Sequence, residues 1–132
     1  MKFLTNLFKS KRKKFEELLK QTQIIRIRTL EEGCDDEIVI IPPVDEDLID
    51  SLHSLLQKGV EVRLEDISLI EDSIQDCKQD ICDNPNTYDC PQEILADENT
   101  LQDWINQTIA TYPRIFILNK ILNLLKQYLR TS

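Results

Sequence analysis

The chain has 132 residues, 30% of them charged, and a formal net charge of −8. That length makes it one domain by size, able to bury a modest core without disulfide or metal support. Two glycines in the whole chain argue against an all-β fold built on many tight turns.

The average charge hides a segregation. Residues 1–28 hold nine Lys or Arg and two acids, residues 29–103 hold three basic and twenty-two acidic residues, and residues 104–132 hold four basic residues and no acid. Basic ends therefore flank an acidic middle. Between Lys2 and Lys9 lies only FLTNLF, followed by KSKRKK, which is too short an apolar core for a secretory signal. No stretch approaches the roughly eighteen apolar residues of a membrane span. A cytoplasmic protein is expected, with a peripheral position at the inner membrane surface open to it. In that compartment Cys34, Cys77, Cys82 and Cys90 would be reduced thiols.

Residues 1–22 form a basic amphipathic segment, and residues 23–132 a single acidic domain. Within the first, Phe3, Leu4, Leu7 and Phe8 precede Lys9, Lys11, Arg12, Lys13 and Lys14. An apolar helical segment followed by a basic cluster suits an anionic membrane surface, at about 1 kcal/mol per basic residue near that surface. The same cations could grip nucleic-acid phosphates, or they could be the solvated face of an ordinary terminal helix whose Leu18 and Leu19 dock on the core.

IIRIRTL, residues 24–30, alternates as a half-exposed strand, and EEGCDD, residues 31–36, reads as a turn leading to an antiparallel partner. Residues 37–64, EIVIIPPVDEDLIDSLHSLLQKGVEVRL, read as strand, crossover helix and returning parallel strand, one βαβ unit. The β-branched run Ile38 to Ile41 suits a strand buried on both faces. Asp45 can cap the helix, Leu48, Leu52, Leu55 and Leu56 give its buried stripe, and Gly59 gives a left-handed stop. Val60, Val62 and Leu64 alternate with Glu61 and Arg63 as the second strand. The expected class is α/β or α+β: a small three-stranded mixed sheet containing one βαβ unit, with four to five helices.

Beyond it, Asp66 can cap a helix reaching Cys82, with Ile67, Ile70, Ile74, Cys77 and Ile81 on one face. Residues 83–99 carry two prolines and read as a long irregular stretch. Thr100 and Asp103 resemble a capping box before LQDWINQTIATY. A last helix from Arg114 to Leu129 is apolar over nearly half its circumference. It needs cover from the sheet, the first helix, a lipid surface or a second copy of the chain, so a homo-oligomer through this helix is one expectation. Residues 114–118 suit a strand as well as a helix.

Candidate chemistry is sparse. Cys77, Cys82 and Cys90, with Cys34 elsewhere, lack the close pairs of a structural zinc site. His53, the single histidine, has no evident nucleophile to serve. Asp45, Glu46, Asp47 and Asp50 gather near the end of a strand, where open α/β sheets place ligands, so a metal-assisted hydrolase is one reading of them. No Gly-rich phosphate loop, nucleophile elbow or EF-hand loop is present, and neither a cofactor nor a catalytic residue is assigned. Residues 44–64, VDEDLIDSLHSLLQKGVEVRL, resemble the crossover of phospholipase-D-like half-modules. That family's chemistry resides in a His-x-Lys motif, and His53 here is followed by Ser54 and Leu55, so no catalytic role carries over. The expected function is that of a small regulatory or adaptor protein acting by protein contact, with anionic membrane as a second partner and nucleic acid disfavoured. An acidic nucleic-acid mimic that inhibits a basic protein is the alternative from another class.

Overall fold

A computed structural model describes the backbone of residues 2–28 and 37–129, and the side chains of residues 11–28 and 37–129. In chain order the described elements are α1 (Lys2–Lys20), β1 (Ile25–Arg28), β2 (Glu37–Ile40), α2 (Glu46–Gln57), α3 (Leu64–Asp83), a 3-10 turn (Pro85–Tyr88), α4 (Gln92–Leu95), α5 (Glu98–Thr111) and α6 (Pro113–Leu129). The fold is a helical bundle with a hairpin attached. Its most extensive contact joins α3 to α6; α1 and α2 pack on each other and on this pair, and α5 packs on the same pair.

The core follows from the helical stripes. Phe15, Leu52, Ile70, Ile81, Leu118, Ile121 and Leu125 are fully enclosed. On α2, Asp45 takes an extended backbone and accepts a hydrogen bond from Leu48 N at 3.2 Å, and Leu48, Leu52, Leu55 and Leu56 face inward. The helix stops as expected. Gly59 has φ +102°, its N–H donates to Leu56 O, and the Val60 N–H reaches back to Leu55 O. This is a Schellman closure, which requires a left-handed residue that glycine supplies without strain.

The expected three-stranded sheet and βαβ unit are not formed. Among the described residues the only sheet is the antiparallel pair β1 and β2, in the register Ile25 to Ile40 and Ile27 to Ile38. Residues 60–63 have no regular secondary structure and pair with no strand among the described residues, and α3 begins at Leu64. The alternation that suggested a strand is real: Val60 and Val62 pack on the core while Glu61 and Arg63 are exposed. Period two records one face laid against an apolar surface, and an unpaired linker satisfies that as well as a strand does. The reading of Ile38 to Ile41 as doubly buried is also overturned. Ile38, Val39 and Ile40 keep 49%, 45% and 44% of their surface exposed. β-Branched side chains favour extended backbone, but burial needs layers on both faces, which a two-stranded hairpin lacks.

Other boundaries move for local reasons. Asp66 stands in the first turn of α3, where its carboxylate accepts the Arg63 N–H at 2.8 Å; the N-cap position belongs to Arg63. The stretch read as irregular contains the 3-10 turn and α4. Helix α5 starts at Glu98 because Asp97 caps it, accepting from Asn99 N at 3.3 Å and from Thr100 Oγ1 at 2.7 Å. Helix α6 opens on Pro113, whose fixed φ suits a first helical position, and residues 114–118 are helical. Its wide apolar face is covered largely within the chain: Ile115, Ile117, Leu118, Ile121 and Leu125 are buried, while Phe116 is 59% exposed beneath the Lys120 ammonium.

Candidate functional site

The charged contacts of α1 are asymmetric, and this creates the site. Arg12 sends two parallel hydrogen bonds to Asp66, at 2.9 and 3.0 Å, a third to Glu16 at 3.0 Å, and a fourth to the carbonyl of Glu61 at 3.0 Å. Asp66 is buried, and its hydrogen bond to the guanidinium is the main cause that raises the Arg12 pKa above its ordinary value. Arg12 therefore bolts α1 to the start of α3 and to the linker before it.

The neighbouring cations are uncommitted. Lys11, Lys58 and Arg63 are exposed and make no ion pair among the described residues, and together with Arg12, Gly59, Val60 and Glu61 they line a groove of about 350 Å³ between α1 and the α2–α3 turn. A second groove, about 500 Å³, shares Lys58 and runs between α1 and α2; Lys14, Glu17, Asp50, Ser51 and Ser54 are among its walls. The two adjoin at Lys58 as a trough whose walls, among the described residues, carry four cations outside any ion pair, Lys11, Lys14, Lys58 and Arg63, together with the carboxylates of Glu17, Asp50 and Glu61. Its residues come from positions 11–21 and 50–63, segments that only the packing of α1 on α2 and α3 brings together.

Of the residues singled out as a membrane or polyanion contact, Lys11 and Lys14 line the trough, Lys13 is exposed away from both grooves, and Arg12 is spent on Asp66. The helical backbone continues back through positions 3–9, but the side chains of Phe3, Leu4, Leu7, Phe8 and Lys9 lie outside the described residues. Lys58 and Arg63 were missed. In sequence they read as a helix-end charge and a strand residue, and no local signal places them opposite Lys11.

The acids after β2 have separate tasks. Asp45 caps α2, Glu46 pairs with Lys120 Nζ at 2.9 Å, Asp47 is exposed, and Asp50 lines the trough. Among the described residues no group of three or more His, Cys, Asp and Glu side chains is placed to hold a metal ion. Cys77, Cys82 and Cys90 are free thiols, the first and last buried; Cys34 lies outside the described residues. His53 packs edge-on against Tyr128, with ring centroids 6.1 Å apart.

A second cluster of perturbed groups lies between α3 and α6. Tyr88 donates to Asp80, which also accepts from Asn84 Nδ2 at 3.0 Å, and Tyr88 meets the Tyr112 ring edge-on at 5.4 Å. Burial first, then the hydrogen bond to Asp80, pushes the Tyr88 phenol up; burial pushes the Cys77 thiol up to about 11. Arg114 donates to the carbonyl of Thr22 at 3.0 Å and to that of Pro42, tying both stems of the hairpin to α6. Desolvation lowers its pKa, and its Nε is buried with no hydrogen-bond partner. None of these six side chains lines the trough. Perturbed groups often mark active sites, but these serve one another and the hairpin.

The architecture defines the class as a small helical bundle bearing a two-stranded hairpin, with a trough in which cations outnumber carboxylates on a chain of net charge −8. No protein family, curated protein or solved structure matches the chain.

Proposed function

We propose that this is a small cytoplasmic regulatory or adaptor protein that works by contact. It docks on an anionic surface, the inner face of a membrane, through the basic trough and the helix leading into it. The observation that carries the reading is the set of four cations, Lys11, Lys14, Lys58 and Arg63, that make no ion pair among the described residues and outnumber the carboxylates of Glu17, Asp50 and Glu61 on adjoining grooves of a chain whose net charge is −8. Near an anionic surface each is worth about 1 kcal/mol. The sequence FLTNLF, on the same helix ahead of them, supplies apolar residues for the acyl boundary. No described helix is long and apolar enough to cross a membrane. The acidic remainder is repelled by the same surface and turns the trough towards it. Exposed acids on α3, among them Glu71 and Asp72, are then left facing a basic protein partner.

Vesicle flotation tests the reading with three chains: intact, lacking residues 2–8, and carrying Lys11→Glu with Lys14→Glu. The truncation stops short of Arg12 because that residue holds α1 in place. Binding of the intact chain to anionic but not neutral vesicles, lost in both variants and reduced by salt, is the expected result. Equal flotation of all three chains, or preferential capture by duplex DNA, would overturn it.

A further inference from the structure

The hairpin stands out from the bundle. Directly opposed residues of a sheet share a face, so the register gathers Ile25, Ile27, Ile38 and Ile40 on one side and Arg26, Arg28, Glu37 and Val39 on the other. Arg26 turns that second side towards α3 through Asp76 and Asp80. Yet Val39, opposite Arg26, and Ile41, two places on, keep 45% and 40% of their surface exposed, so the helices do not extend beneath β2. We propose that the outer edge of β2 pairs antiparallel with the same edge of a second copy, joining two hairpins into one four-stranded sheet. The contact is separate from the trough and stands independently of the membrane reading.

The edge is open. Among the described residues, positions 37–41 make no backbone-to-backbone hydrogen bond outside the ladder to β1. Alternate residues of an outer strand turn their N–H and C=O groups away from the sheet, which is a template for another strand. A hairpin of two short strands is marginal by itself, and further strands with an apolar face stabilise it.

Charge selects the edge and the partner. A two-fold antiparallel pair is centred on a single residue, because opposed side chains must lie on one face. On β1, centring on Arg26 sets that residue against its own counterpart, and centring on Ile27 sets Arg26 against Arg28. Like charges directly opposite are destabilising, so β1 is guarded against its own copy. On β2, centring on Val39 sets Val39 against Val39, Ile38 against Ile40 and Glu37 against Ile41. No charge meets its like, β-branched side chains meet across the join, and Pro42, which lacks an N–H, ends the match. The strand is thus its own complement. Both copies carry a net charge of −8, so repulsion opposes pairing at low ionic strength and is screened as salt rises. The dimer is therefore weak and strengthened by salt, the reverse of vesicle binding through the trough.

Sedimentation equilibrium from about 10 µM to about 1 mM, in low and high salt, tests the pairing on three chains: intact, Val39→Glu and Ile27→Thr. Val39→Glu sets two carboxylates against each other across the two-fold, while within its own hairpin the new group faces Arg26 and spares the fold, which urea midpoints check. Ile27→Thr alters the isoleucine face and leaves the β2 edge intact. We expect a dimer that tightens with salt, is weakened at least about tenfold by Val39→Glu and is unchanged by Ile27→Thr. A further chain, Val39→Cys with Cys34→Ser and Cys82→Ser, places a thiol on the two-fold. Opposed Cα atoms of an antiparallel pair lie about 4.5–5.5 Å apart, within disulfide range, so mild oxidation should link two copies through position 39. Monomer at every concentration overturns the proposal, as does failure of that cross-link in a chain that dimerises. A dimer weakened by Ile27→Thr as much as by Val39→Glu rests on the isoleucine face, and one indifferent to both rests on another surface; either result overturns edge pairing. So does vesicle binding lost in Ile27→Thr by a chain that never dimerises, which makes lipid the occupant of the hairpin.

Discussion

The two guanidinium nitrogens of Arg12 lie 3.0 and 2.9 Å from the two carboxylate oxygens of Asp66, a side chain 4% exposed and 54 residues further along the chain. A residue drawn from a basic cluster is thus the fastening between the first and third helices. Arg12→Ala strands a buried carboxylate, which costs about 1–3 kcal/mol because Arg12 itself is partly solvated. Arg12→Lys recovers only part of this, since an ammonium cannot make two parallel bonds. Urea titration measures both; a loss within about 0.5 kcal/mol for Arg12→Ala would show that the contact does not hold the helix.

Gly59 offers a separation of space from conformation. A Cβ built there meets nothing within 4 Å, yet φ is +102°. Gly59→Ala should therefore destabilise the protein by about 1 kcal/mol through backbone strain alone. An unchanged denaturation midpoint would mean that the turn relaxes to negative φ.

The hairpin is held by charged groups more than by apolar packing. Arg26 reaches Asp76 at 3.0 Å, but both side chains are more than a third exposed, so Arg26→Ala costs at most about 1 kcal/mol, and less in high salt. Arg114→Met removes a desolvated cation together with its bonds to Thr22 and Pro42. Global stability should change by less than about 1 kcal/mol because the desolvation penalty disappears as well. Amide exchange in β1 and β2 should nevertheless accelerate relative to α3. Unchanged protection of the hairpin amides would mean that Arg114 does not tether it.

Alkaline pH should weaken the fold. The Cys77 thiol is raised from 9.0 to about 11, so the folded state holds its proton longer than the unfolded chain. That contribution is complete below about pH 9 and is lost as pH rises towards 11. Tyr88, raised further by burial and by Asp80, extends the decline. Urea midpoints measured against pH should fall across this window, and the fall should shrink in Cys77→Ala. With a thiol reagent at neutral pH, exposed Cys82 should react well before Cys77 and Cys90.

Burial sets the cost of losing an apolar side chain. Leu118, fully enclosed between α6 and its neighbours, should cost about 2–5 kcal/mol as Leu118→Ala. Ile27→Thr, at a position 45% exposed, should stay within about 0.5 kcal/mol. Similar losses at both positions would place the core elsewhere.

Local chemistry was legible in the chain. The stripes of α2, α3 and α6, the cap at Asp45, the glycine stop at 59 and the antiparallel pairing of residues 25–28 with 37–40 each depend on interactions within a few turns or across one hairpin. The segregation of charge is a property of composition and needed no coordinates. Packing decided the rest. Val60 and Val62 alternate whether they lie in a sheet or on a helical surface, and only the location of a partner strand separates the two. Likewise Arg12 and Lys11 are indistinguishable as members of a basic run. Asp66 neutralises one and Lys58 and Arg63 gather beside the other because α1 docks against residues some fifty positions away, and a contact at that separation leaves no periodicity to read.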